Sequence, residues 1–398
     1  MNKDRIIYRN GLITGSDPAQ SEVADLVIED GVIAEVGRDI TGHFDGEVDM
    51  TGRRLIPACI DPHVHFALPV GQRITVDDFL SGSRKAMAGG IATVIDFTTP
   101  EPGLTLQDSL RNRVKEARQA ECTVLLHSTV VGWDADIQGQ ADKCLEMGIG
   151  SFKFFTTYEE SGRRTSYEQL LKAAEWAAAS GARLIVHAED QDSLIPAEKL
   201  PSDSFRFYES SRPVESEVKA IEKLASIQNE TGANIAIVHV SSGSGVKAAI
   251  NSGLKLETCP QYLTMTRDVF AGAGGWRYAV APPLRSAAEQ VNLWQAVVEG
   301  QIHWIGSDHA PFPVEDYDAA GDHFTKTPYG LDGVGTVLSR MIEHGVKTGR
   351  ITWDQLVSLT STGAAKFYGI YPEWGSLSVG SRGEFVVIDE TSGSIELV

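Results

Sequence analysis

The chain has 398 residues and a formal net charge of −19, enough length for a large core plus an accessory unit. Its acidic residues are scattered and no basic block is present, which argues against nucleic acid and membrane surfaces as partners. A neutral or cationic small molecule is compatible with that charge.

The opening segment, MNKDRIIYRNGLITG, carries no long apolar run after its charges, so neither a secretory signal nor a transmembrane anchor is expected and a cytoplasmic location follows. From Ile6 to about Leu55 the text reads as short strands broken by Gly and Asp, which predicts a small β unit over residues 1–55. Beyond Pro57 apolar runs alternate with longer amphipathic stretches, the pattern of βα units on a parallel sheet. Eight runs are counted: PACIDPHVHF, ATVIDFTT, TVLLHSTVV, GSFKFFTT, RLIVHAED, NIAIVHVSS, LKLETCPQYL and IHWIGSDHAPF. Helices are predicted in DDFLSGSRKAMAGG, LQDSLRNRVKEARQA, SYEQLLKAAEWAAAS, PVESEVKAIEKLASIQNETG and SAAEQVNLWQAVVEG. The fold class is therefore α/β, with a (β/α)8 TIM barrel over 56–367. The stretch WGSLSVGSRGEFVVIDETSGSIELV returns to short strands, so residues 368–398 are expected to join the first 55 in one small β-sandwich domain. Cys59, Cys122, Cys144 and Cys259 form no CxxC pair and sit in apolar text, as reduced core thiols do.

In such a barrel, catalytic groups project from the carboxyl ends of the strands. Run one ends in His63-Val64-His65, and strand alternation puts both imidazoles on one face, able to meet one metal. Runs five and six end in VHAE and VHVSS, placing His187 and His239 at equivalent heights, and run eight places Asp308 there too. Each alone reads as a satisfied core residue; together they form a constellation of N and O donors suited to zinc or a similar divalent ion. Lys153, at the end of run four, is the unusual member. A buried ammonium must pair or lose its proton, and a neutral amine beside two metals can add CO₂ to become a bridging carbamate. A lysine paired with a rim carboxylate is the alternative. His127, His309, Asp61 and Arg285 are read as core histidines and local structural partners.

DPHVHF, ITVDDFLSGSRKAMAGG, GSFKFFTTY, VHAE, IVHVSS, LETCPQYL, APPLR, GSDHAPF and FTKTPYG fall, in this order, where they do in the cyclic amidohydrolases, and the chain resembles their dihydropyrimidinase and hydantoinase group along its whole length. That resemblance implies His63, His65 and Asp308 on one metal, most simply Zn²⁺, and His187 and His239 on a second. It also implies a carboxylated Lys153 (N6-carboxylysine) and a hydroxide bridging the two. Tyr158 matches a tyrosine that polarises the scissile carbonyl, although an ordinary rim aromatic is the simpler reading of the residue itself. Main-chain contacts to substrate are implied at Ala281 and Tyr329, where the group usually has Ser and Asn, and the chain ends soon after FVVIDE, short of the further segment typical of the group. A homodimer or homotetramer is implied as well.

The expected reaction is attack of the bridging hydroxide on a ring amide, with Asp308 as base and then acid, opening a dihydropyrimidine or 5-substituted hydantoin to an N-carbamoyl amino acid. Ala67 stands where dihydroorotases carry an Arg, and LPVGQRITVDDF is closer to hydantoinases than to allantoinases. Allantoinase or dihydroorotase-like activity remains the alternative within the class. A non-catalytic dihydropyrimidinase-like scaffold is the alternative outside it, and it has no reason to keep all six ligands. A deaminase or phosphotriester hydrolase on the same barrel shares much of the site, but deaminases generally use one metal and lack the lysine.

Overall fold

The computed structural model describes residues 5–17, 19, 21–101 and 103–398, so the first four positions of the N-terminal β unit lie outside the described residues. Five strands open the chain: β1 (Arg5–Ile13), β2 (Glu22–Glu29), β3 (Val32–Gly37), β4 (Gly46–Asp49) and β5 (Arg54–Pro57). They are followed by β6 (Cys59–Val64), a hairpin of β7 (Pro69–Val70) and β8 (Arg73–Ile74), then β9 (Ile91–Phe97), β10 (Thr123–Thr129) and β11 (Ser151–Phe155). Next come β12 (Arg183–His187), β13 (Asn234–Ile237), β14 (Lys255–Thr258), β15 (Trp304–Ile305), β16 (Phe385–Ile388) and β17 (Ile395–Leu397).

Both chain ends meet in one sheet, ordered β17-β16-β5-β1-β2-β3, with β4 also on β1. The β2–β3 hairpin turns on Asp30 and Gly31, whose φ of 53° and 75° is what a two-residue hairpin loop demands. Tyr8 from the first strand and Phe385 from β16 pack edge to face at 4.9 Å, in an apolar core completed by Leu26, Ile33, Leu55 and Val387. The sheet built from the two ends is thus a separate layer with its own core.

The other eight long-sheet strands are parallel, in the order β15-β14-β13-β12-β11-β10-β9-β6. The His65 amide donates to the His309 carbonyl at 2.8 Å, bringing the eighth run back against the first and nearly closing a TIM barrel. Every residue of β9 (IATVIDF) is buried, as expected for a parallel strand covered on both faces. Capping boxes start three of the surrounding helices, at Asp78/Ser81, Thr105/Asp108 and Ser166/Gln169. The five predicted helices form at Phe79–Ala88, Leu106–Ala117, Tyr167–Ser180, Val214–Thr231 and Ala287–Val298. Helix Ala135–Glu146 was not anticipated, because ADIQGQADKCLE buries only Ala141 and Cys144 and shows little apolar periodicity.

Three predicted runs end sooner than their apolar text. The sixth stops at Ile237, which leaves His239 two residues past its strand. The seventh stops at Thr258, since Pro260 cannot extend the ladder and instead starts a short helix, Pro260–Thr264. The eighth contributes only Trp304 and Ile305; at the following Gly306 a Cβ would lie 2.9 Å from Glu257 and 3.0 Å from His63. Asp308 therefore sits three residues past its strand. Beneath it, Trp304, Ile60, Ile185 and Ala236 fill the barrel interior, with Phe367 stacked on Trp304 at 4.8 Å.

Candidate metal centre

The structure brings all six predicted ligands to the carboxyl end of the barrel. His63 is 1% exposed, and its ring lies 5.2 Å from that of His65 and 5.3 Å from that of His239. His239 in turn lies 4.5 Å from His187. One oxygen of Asp308, Oδ1, stands 3.3 Å from Nε2 of both His63 and His65, so the three donors surround a common point. Nε2 of His63, Nδ1 of His65 and Nδ1 of His239 are buried without a hydrogen-bond partner among the described residues. Three orphaned ring nitrogens in one barrel mouth are costly unless something binds them, and neutral imidazole nitrogens and a carboxylate are donors that suit a divalent cation.

The electrostatics favour that use. Burial drives the imidazoles of His63, His239 and His187 below their ordinary range, which keeps them neutral, as ligands must be. Burial resists ionisation of Asp308, yet His63, His65 and His239 together hold its carboxyl below the usual carboxylate range. Lys153 is 1% exposed, with Nζ over the rings of Phe97 and Phe155 at 5.3 and 5.2 Å. Burial lowers the pKa of this amine, and the carboxylates of Asp308 and Glu257 only partly oppose the shift.

Behind the donors stands a set of charged residues that fix their orientation, and sequence reasoning missed these. Glu257 Oε1 accepts hydrogen bonds from His63 Nδ1 at 2.7 Å and from the backbone N–H of His239 at 3.2 Å, while its Oε2 accepts from the Trp304 indole at 2.8 Å. Glu189 accepts from His187 Nε2 at 2.6 Å and is itself gripped by Arg212. The signals were present: a carboxylate two residues after His187 in VHAE, and a lone Glu inside the apolar run LKLETC. Because partners of this kind set ligand geometry, Glu257→Gln is expected to weaken metal retention by about 10- to 100-fold, measured by metal content after dialysis against a graded chelator.

Three site residues hold left-handed backbone: His239 at φ 42°, Asp308 at 52° and Tyr158 at 67°. Non-glycine residues are held there only where the surroundings over-determine them, and here each aims a side chain that a continuing strand would turn away. The donors open onto a cavity of about 380 Å³ whose wall includes Leu68, Val70, Phe155, Tyr158, Ala281 and Tyr329. The Tyr158 ring stands 5.1 Å from His187. Tyr329 lines the same cavity, turns its hydroxyl onto the Phe324 carbonyl at 3.1 Å and stacks on Tyr208.

The residues read as structural take structural positions. His127 is fully buried, with Ser151 Oγ on one ring nitrogen and the Pro62 carbonyl on the other. His309 turns away from its neighbour Asp308 toward Asp77 and Asp332. Asp61 accepts from the amides of His63 and Ser307, and Arg285 donates to Ser241. The four cysteines are free.

A barrel with this donor set at its mouth can hold a divalent cation in the manner of a hydrolase scaffold, and the amidohydrolase family model matches residues 54–396. The chain belongs to that family. Among curated relatives, D-phenylhydantoinase of Escherichia coli O1:K1 is 31% identical, over 97% of this chain and 86% of the relative. Dihydropyrimidinase from Brevibacillus agri superposes with a TM-score of 0.91 at 29% identity, over 97% of this chain and 86% of that one. L-Hydantoinase (dihydropyrimidinase) from Arthrobacter aurescens gives 0.86 at 30% identity, over 96% and 86%.

Proposed function

We propose that this chain opens the ring of a cyclic ureide, a dihydropyrimidine or a 5-substituted hydantoin, to the N-carbamoyl amino acid. The observation that carries the reading is the cluster in which Nε2 of His63 and Nε2 of His65 each stand 3.3 Å from Asp308 Oδ1, with the buried Lys153 lining the same cavity of an amidohydrolase barrel. A scaffold has no use for it. The relatives' names supply the substrate class.

His63, His65 and Asp308 would hold one divalent ion and His187 and His239 a second, Zn²⁺ suiting both sets of N and O donors. Lys153 would lie between them as a carbamate, formed when its neutral amine adds CO₂ and releases a proton. The chemistry such a pair supplies is Lewis acidity, which polarises a carbonyl and makes hydroxide available near neutral pH. Asp308 accepts the proton of the attacking water and returns it to the leaving ring nitrogen. The Tyr158 hydroxyl donates to the developing oxyanion. It stays protonated for this task, because burial pushes its pKa upward. Main-chain groups at Ala281 and Tyr329 would hold the planar ring, and the apolar walls keep bulk water from it. The same reading takes the chain as a cytoplasmic homodimer or homotetramer divided at residues 55 and 367; four free cysteines suit a reducing compartment.

The test is a metal assay joined to hydrolysis of dihydrouracil, hydantoin, allantoin and dihydroorotate. Turnover of the first two with two bound metals per chain is the expected result. Failure on every ring by protein carrying its metals would overturn the substrate class and leave the metal centre standing.

A further inference from the structure

We propose that Arg163 selects cyclic ureides whose ring substituent ends in a carboxylate. This inference rests on the ring-opening reading above and concerns which members of that class are preferred.

Arg163 and Arg164 are adjacent, but the chain sends them to opposite sides. The segment leaves Tyr158, turns through Gly162 at φ 70°, and returns so that Arg164 bridges Phe155. Arg164 faces outward, where Glu159 and Asp192 take its guanidinium at 2.9 and 3.4 Å. Arg163 faces inward and lines the cavity, half-buried, with its guanidinium 6.0 Å from the Phe155 ring. Lys153 Nζ lies 5.2 Å from the same ring, so Arg163 stands one aromatic ring away from the metal-binding donors.

The other guanidiniums near this cavity already have counter-charges. Arg212 is held by Glu189 through two nitrogens, and Arg73 has Asp316 at 3.9 Å. Among the described residues no carboxylate lies within ion-pair distance of Arg163, whose guanidinium stands over the Phe155 ring. Leu68, Val70, Val280 and Pro328 supply much of the remaining wall, so the charge borders a partly dry, apolar space. A planar fork so placed is matched by a carboxylate, which it can bind through two parallel hydrogen bonds. The chain as a whole carries −19, so its net field does not by itself attract anions. Among the described residues, Arg163 is thus the guanidinium on this cavity wall that is left to pair with an acidic substituent.

Two hydantoins of equal size separate charge from shape: one with a 2-carboxyethyl arm at C5, the other with the corresponding 2-carbamoylethyl arm. With the metal-loaded enzyme, kcat/KM is expected to favour the acid by about 10- to 100-fold, the range of a charge-assisted hydrogen bond. In Arg163→Gln the ratio is expected to fall to one or below, and in Arg163→Lys to keep part of its value. Equal kcat/KM for acid and amide in the wild type, with both rings opened, overturns this inference alone, as does a preference that survives Arg163→Gln. No opening of either ring or of unsubstituted hydantoin overturns the ring-opening reading and this inference with it.

Discussion

Replacing Lys153 by alanine is expected to lower kcat/KM by more than about 100-fold, since removal of a residue that merely orients a ligand already costs 10- to 100-fold. Stability should move the other way. As a bare amine, Lys153 is a buried cation precursor with Nζ over the rings of Phe97 and Phe155 and no carboxylate in ion-pair contact among the described residues. Removing it takes away a desolvated group and breaks no salt bridge, so the metal-free variant should melt no lower than the metal-free parent apart from the cost of a small cavity. A lysine that held the barrel together would give the opposite result. Two further readouts separate the roles: bound metal should fall below two per chain, and a short carboxylate such as propionate, offering two oxygens in the emptied space, should restore part of the activity. Full activity in the alanine variant without added carboxylate would sink the bridging carbamate.

The barrel was legible because its strands are buried on both faces and therefore read as uninterrupted apolar runs; β9 is the clearest case. The ligands were legible because a polar residue ending such a run has few other reasons to be there. What escaped was set by contacts between runs distant in sequence. Glu257 is an acid in the seventh run whose purpose appears only when the barrel places it 2.7 Å from a histidine of the first. Arg212 follows the short helix Tyr208–Ser211, in text with no periodic signal, and its partner Glu189 lies 23 residues earlier. Strand ends were misjudged for a related reason. The eighth run was read through GSDHAPF, but the close approach of Gly306 to His63 and the left-handed backbone at Asp308 end the ladder at Ile305. The departure at Ala281 and Tyr329 is resolved in part by geometry, since both line the cavity while the Tyr329 hydroxyl is engaged elsewhere.

That left-handed turn makes Asp308→Asn the sharpest test of the proton path. At φ 52° most substitutions would add backbone strain, whereas Asn is among the residues that adopt this conformation readily, and it preserves the shape of the side chain. An amide oxygen can still occupy the position 3.3 Å from Nε2 of His63 and of His65, so metal should be held, though less tightly. What the amide cannot do is take up a proton. The variant is therefore expected to lose roughly 10²- to 10⁴-fold in kcat, the span of a positioned acid–base group, with a much smaller change in KM. The loss should grow as the leaving nitrogen becomes more basic, because protonation of that atom is the step the carboxyl serves. His63→Ala makes the contrast: it removes a donor outright, so metal content and activity should fall together. If Asp308→Asn keeps its metals and its kcat, the proton travels by another group, and Asp308 is a ligand only.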